Sequence, residues 1–114
     1  MQHRDQIVIQ KVLSEIEIGL EMLGEASLEE FLEDEKLKRA VGMTVINIGE
    51  LIKNVTEETR STYPKIPWKA VAGMRDIAAH KYQTLRMEDV YNTVKTDFVF
   101  LQEELKEILE KETE

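Results

Sequence analysis

Ile9, Leu13, Ile16, Leu20 and Leu23 recur at spacings of four and three, the period of one helix face, and predict a helix from about residue 4 to Leu23 that Gly24 ends. Ser27 with Glu30 three residues on has the form of a capping box, so a short helical turn is expected over Leu28 to Leu32. Asp34 then suits the cap of a long second helix, in which Leu37, Val41, Val45, Ile48, Ile52 and Val55 form another apolar seam before a polar run ending at Tyr63. Pro64 and Pro67 interrupt the chain, and Pro67 fits the first position of a third helix reaching about His80, where its missing amide hydrogen is not needed. A last helix from about Met87 to Leu109 carries Val90, Val94, Phe98, Leu101, Leu105 and Ile108. Three long helices and one shorter one, with matching seams and short connections, predict an all-α, antiparallel four-helix up-and-down bundle with a short extra helical turn.

Composition supports this reading. The 114 residues suit one domain spanning 1–114, and with only 5 Gly and 2 Pro they favour helices over strands and turns. The absence of cysteine removes disulfides, thiolate metal sites and cysteine nucleophiles, and His3 and His80 are too few and too far apart for a zinc site. A chemistry without metal or cofactor is therefore expected. The polar start MQHRDQ is unlike a signal peptide, and no apolar run approaches the roughly 18 residues needed to cross a bilayer, so a cytoplasmic protein without membrane contact is expected.

Charge narrows the search for a site. The net charge of -8 argues against a polyanion partner until its distribution is considered. From Arg60 to Arg86 there are six basic residues and only one acid, Asp76, so this stretch carries +5 and the rest of the chain -13. Within it lies the run GMRDIAAHKY, residues 73–82. On a regular helix Ala70, Val71, Met74, Ile77 and Ala78 fall on one side and form the expected core face, leaving Arg75, Asp76 and His80 on the other. Asp76 and His80, four apart, can hydrogen-bond across a turn, which would orient the imidazole and raise its pKa. Arg75 lies about 140° round from His80, with the small residues Ala72 and Ala79 between them. Taken singly, each of these polar side chains is as compatible with a solvated helix face or a helix-end cap as with a site.

As an ordered set, Ile48–Glu50 (IGE), Pro64–Trp68 (PKIPW), Gly73–Asp76 (GMRD) and the triplet His80, Lys81, Tyr82 resemble the HepT-like branch of the HEPN superfamily. The likeness extends from Arg4-Asp5 and the region of Phe31 across nearly the whole chain. It implies a homodimeric helical bundle whose two motif helices face each other and form a composite ribonuclease site. It further implies a toxin paired with a small nucleotidyltransferase antitoxin of the MNT type. Arg75 and His80 would be catalytic, Asp76 would hold the polar position beside the arginine, and Tyr82 would be the residue that receives AMP. Lys69, Lys81 and Arg86 are candidates for RNA contacts in the basic stretch. Two positions depart from the family pattern: Asp76 stands where Asn is commoner, and Met43 where many relatives have a basic residue. The residues suit ribose 2'-hydroxyl attack on the adjacent phosphate, with His80 taking the proton and Arg75 stabilising the phosphorane charge. An alternative is a non-catalytic nucleotide-binding or nucleotidyltransferase-partner protein. A third reading is a plain helical dimerisation module.

Overall fold

The structure, a computed structural model, describes residues 1–80 and 87–113, and for 75–80 the backbone alone. Among the described residues it is all helical: α1 (His3–Leu23), α2 (Leu28–Glu33), α3 (Glu35–Ile52), α4 (Glu57–Thr62), α5 (Trp68–His80), α6 (Met87–Asn92), a π-helical turn (Thr93–Asp97) and α7 (Phe98–Thr113). The last three run on as one interrupted helix, so four long helical segments make the bundle, with α2 and α4 as short additions. Central α3 packs most extensively on α1 and α5, while α1 also meets α7.

Local chemistry explains most of the boundaries. Gly24 takes φ +50 and its amide reaches the Leu20 carbonyl, ending α1 in a conformation that a Cβ would strain. Both arms of the Ser27–Glu30 capping box form, and the Asp34 carboxylate accepts the Leu37 amide at 3.0 Å to start α3.

The second apolar seam does not run on in one helix, as the sequence pattern suggested. Helix α3 ends at Ile52, and Thr56, accepting the Thr59 amide, starts the separate α4. Arg60 in α4 folds back to donate to the carbonyls of Ile52 at 3.1 Å and Val55 at 3.2 Å, satisfying acceptors that the helix end leaves open.

One core links the helices. On α1 it contains Ile9, Val12, Ile16 and Leu23, whereas Leu13 and Leu20, expected in the seam, lie at its edge. The turn of the helix comes from Gly19, against which Phe98 and Thr44 pack. A Cβ there would lie 2.9 Å from a Phe98 ring carbon and 3.0 Å from the Thr44 hydroxyl. Gly19→Ala is therefore expected to cost about 1–2 kcal/mol net, the overpacking exceeding the gain in helix propensity, as read from the urea midpoint. On the last helical segment Val90, Val94, Phe98, Leu101, Leu105 and Ile108 are all buried, as their spacing predicted. Two successive steps of four would carry this seam round a regular helix. The π turn, marked by the Phe98 amide bonding the Thr93 carbonyl five residues back, holds it on the core.

Candidate functional site

The polar motif sits on α5, and the start of α5 is fixed by a chain of polar contacts that begins at a buried carboxylate. Asp5 on α1 is fully buried and accepts three hydrogen bonds, from the Thr56 amide at 3.1 Å, the Thr59 hydroxyl at 2.7 Å and the Thr56 hydroxyl. Burial pushes its carboxyl upward, but those hydrogen bonds, assisted by the charge of Arg4, outweigh it and hold the pKa below the ordinary aspartate value. Asp5 thereby ties α4 to α1. Beyond α4, Tyr63 donates its hydroxyl to Glu112 on α7, and its carbonyl accepts the Trp68 indole N–H at 2.9 Å. The bond to Glu112, with burial and the carboxylate charge, raises the Tyr63 pKa to about 12. Lys65 adds an ion pair to Glu104 at 2.9 Å. These contacts hold the PKIPW segment on α7 and set the direction in which α5 departs.

The same contacts turn α5 relative to the expected face. Trp68 and Val71 are buried, while Ala70, placed in the core by the sequence pattern, is exposed. The large indole, anchored through its N–H, takes the packed side in place of a methyl group. In helical register position 75 follows the Trp68–Val71 side, whereas positions 76 and 80 follow Lys69 and Gly73 at steps of three and four. Lys69 is exposed, and among the described residues nothing outside the helix's own backbone lies within 4 Å of a Cβ built on Gly73, so this strip of α5 begins in open space. The backbone thus brings Arg75, Asp76 and His80 onto one helix. Their side-chain contacts, and the whole of Lys81, Tyr82 and Arg86, lie outside the described residues.

Depressions flank the described part of that helix. An open groove of about 790 Å³ lies between α4 and the first turns of α5, with Arg60, Pro64, Pro67, Trp68 and Lys69 among its walls. A smaller apolar cavity of about 250 Å³ separates α5 from the π turn, where Met74 faces Phe98 and Leu101. Among the described residues no group of three or more His, Cys, Asp or Glu side chains is placed to hold a metal ion, and no helix is long and apolar enough to cross a membrane.

An all-helical bundle with an arginine and a histidine five positions apart on one helix, in this order of flanking motifs, defines a protein of the HEPN type. The chain belongs to the HepT-like ribonuclease family: the family model described as "Ribonuclease HepT-like" matches residues 11–110. It is 36% identical over 104 residues to a protein of Caldanaerobacter subterraneus subsp. tengcongensis named "Putative RNase", covering 91% of this chain and 93% of the relative. It is 34% identical over 95 residues to the "Probable ribonuclease HepT" of Thermococcus cleftensis, covering 83% and 84%. A "Putative RNase" of Methanocaldococcus jannaschii is 31% identical over 101 residues, covering 85% and 84%. No solved structure gives a significant match.

The sequence pattern missed Asp5 as the anchor of this end of the bundle. A lone acid in a helix's first turn looks like a solvated dipole partner. The available signal was its spacing from Ile9, which places it on the same buried strip.

Proposed function

We propose that this chain is a metal-independent endoribonuclease and the toxin component of a toxin–antitoxin pair, acting as a homodimer with a composite site. The observation that carries the reading is Arg75 and His80 on α5 in a chain of the HepT-like ribonuclease family. His80 accepts the proton of a ribose 2'-hydroxyl, whose oxygen attacks the adjacent phosphorus. Arg75 stabilises the charge that grows on the non-bridging oxygens, and the 5'-oxygen departs and takes up a proton. The products are a 2',3'-cyclic phosphate and a 5'-hydroxyl. Two-fold pairing of α5 with its counterpart brings two copies of the motif into one cleft, and Asp76 in each copy offsets part of the positive charge. Lys69, Lys81 and Arg86 contact RNA phosphates. A nucleotidyltransferase antitoxin of the MNT type restrains the enzyme by transferring AMP to Tyr82. The cytoplasm, where RNA is the substrate at hand, is the place of action.

The test is a pair of oligonucleotides differing only at the ribose before the cleaved bond. The purified protein, with chelator present, is expected to cut the all-RNA strand to a cyclic phosphate end and to leave the strand with a single 2'-deoxyribose intact. Cleavage of the deoxy strand, or products with 3'-hydroxyl and 5'-phosphate ends, would refute the mechanism. Asp76 favours one other reading, since its carboxylate repels phosphate at the motif: a non-catalytic protein that binds a nucleotide or holds a nucleotidyltransferase. That reading requires no RNA cleavage by the isolated protein together with co-purification of such an enzyme.

A further inference from the structure

We propose that the groove between α4 and the first turns of α5 seats the backbone of a single-stranded RNA to one side of the cleaved bond, with Lys69 as the residue that holds a phosphate there. The inference rests on the ribonuclease reading and adds to it the path of the strand. At about 790 Å³ and widely open to solvent, the groove suits a chain lying across it better than an enclosed small molecule. Its lining is largely apolar, with the exposed Pro64 and Pro67 beside the mostly buried Trp68, which suits the faces of sugars. Its charged walls are Arg60 and Lys69 against Glu57, a positive balance in a chain whose net charge is -8. Arg60 is partly committed to the carbonyls at the end of α3, whereas Lys69 is exposed and outside every ion pair among the described residues.

Register connects this groove to the motif. Positions 69, 73, 76 and 80 follow one another at steps of four, three and four, so Lys69 begins the strip of α5 on which positions 76 and 80 lie. At Gly73 no described atom outside the helix's own backbone lies within 4 Å of an added Cβ. From Lys69 to position 80 the helix advances about 16 Å, at about 1.5 Å per residue. A phosphate on Lys69 is therefore more than one nucleotide away from the phosphate being cleaved. Lys69 acts on long strands and has no part in the reaction of a dinucleotide.

The experiment compares the full-length protein with Lys69→Glu, and with Lys69→Arg as the conservative control. The probe for binding is a fluorescent twelve-nucleotide single strand with 2'-O-methyl sugars, which cannot be cut by 2'-hydroxyl attack. Lys69→Glu is expected to weaken binding about five- to tenfold and to reduce the slope of log affinity against log salt by about 1, with Lys69→Arg near wild type. In cleavage, Lys69→Glu should raise KM for a twelve-nucleotide RNA and leave a dinucleoside monophosphate unaffected. Unchanged binding by Lys69→Glu, or equal losses on both substrates, overturns the proposal, as does a wild type that binds an acidic peptide in the groove and not the oligonucleotide. Binding that depends on Lys69 without cleavage of either RNA instead overturns the ribonuclease reading and leaves the groove assignment standing.

Discussion

His80→Ala is expected to lower RNA cleavage by about 10²–10⁴-fold, the usual contribution of a positioned general base. Arg75→Ala is expected to lose about 10²–10³-fold through the phosphorane charge that it no longer stabilises. Because base and cation serve one transition state, the double variant should fall well short of the product of the two losses. Binding of an uncleavable strand should divide the two roles. An imidazole that removes a proton adds little to ground-state affinity, whereas a guanidinium on a phosphate adds more, so His80→Ala should bind nearly as wild type and Arg75→Ala more weakly. Single-turnover cleavage rates with circular dichroism on each variant make the measurement. A His80→Ala protein that keeps its helical spectrum and cuts at the wild-type rate removes His80 from the mechanism. Asp76→Asn, which restores the commoner residue of the family pattern, provides a further comparison: removing a carboxylate beside the phosphate should raise activity, not lower it, if the acid repels the substrate.

The helices were legible where the chain's own chemistry decides their ends. Gly24, the Ser27–Glu30 box and the Asp34 cap act through contacts within a few residues, so a local pattern contains all the necessary information. The break between Ile52 and Glu57 was also written locally, in a threonine followed by two glutamates, but the continuing apolar seam through Val55 masked it. Contacts between distant segments were not legible in this way. The rotation of α1 depends on Phe98 and Thr44 meeting Gly19, and the rotation of α5 depends on a bond from the Trp68 indole to the Tyr63 carbonyl. For the site, residue types and spacing placed Arg75, Asp76 and His80 on one helix. The tilt of that helix and the groove beside it required the three-dimensional contacts of Tyr63, Glu112 and Asp5.

Asp5→Ala should show how far the site depends on that remote anchor. The carboxylate is fully buried, and its removal takes the acceptor from the Thr56 amide and from the Thr56 and Thr59 hydroxyls, the last of them buried. A cost of about 3 kcal/mol is expected for a charged, multiply bonded group of this kind, against roughly 1–2 kcal/mol for Asp5→Asn, which keeps the shape and one acceptor oxygen. For a chain of this size the Ala variant should melt roughly 10 °C below wild type. The sign of the pH dependence follows from the direction of the shift. Asp5 has a folded-state pKa below its ordinary value of 3.8, so its stabilisation is complete above that value and is lost as pH falls through the folded-state pKa. Glu30, Glu35 and Glu112 are shifted the same way by their own hydrogen bonds, and both proteins lose those contributions together in acid. The gap between wild type and Asp5→Ala, measured by urea unfolding, should therefore be widest near neutral pH and narrow below about pH 4. A gap that stays constant down to pH 2 would mean that the side chain stabilises through its volume and not its charge. Because Asp5 fixes α4, and α4 leads through Tyr63 to the first turn of α5, the variant should also lose RNA cleavage well below its melting temperature. Asp5 is remote from the Arg75–His80 motif in sequence and belongs to another helix, so such a loss would reach the site through the orientation of α5.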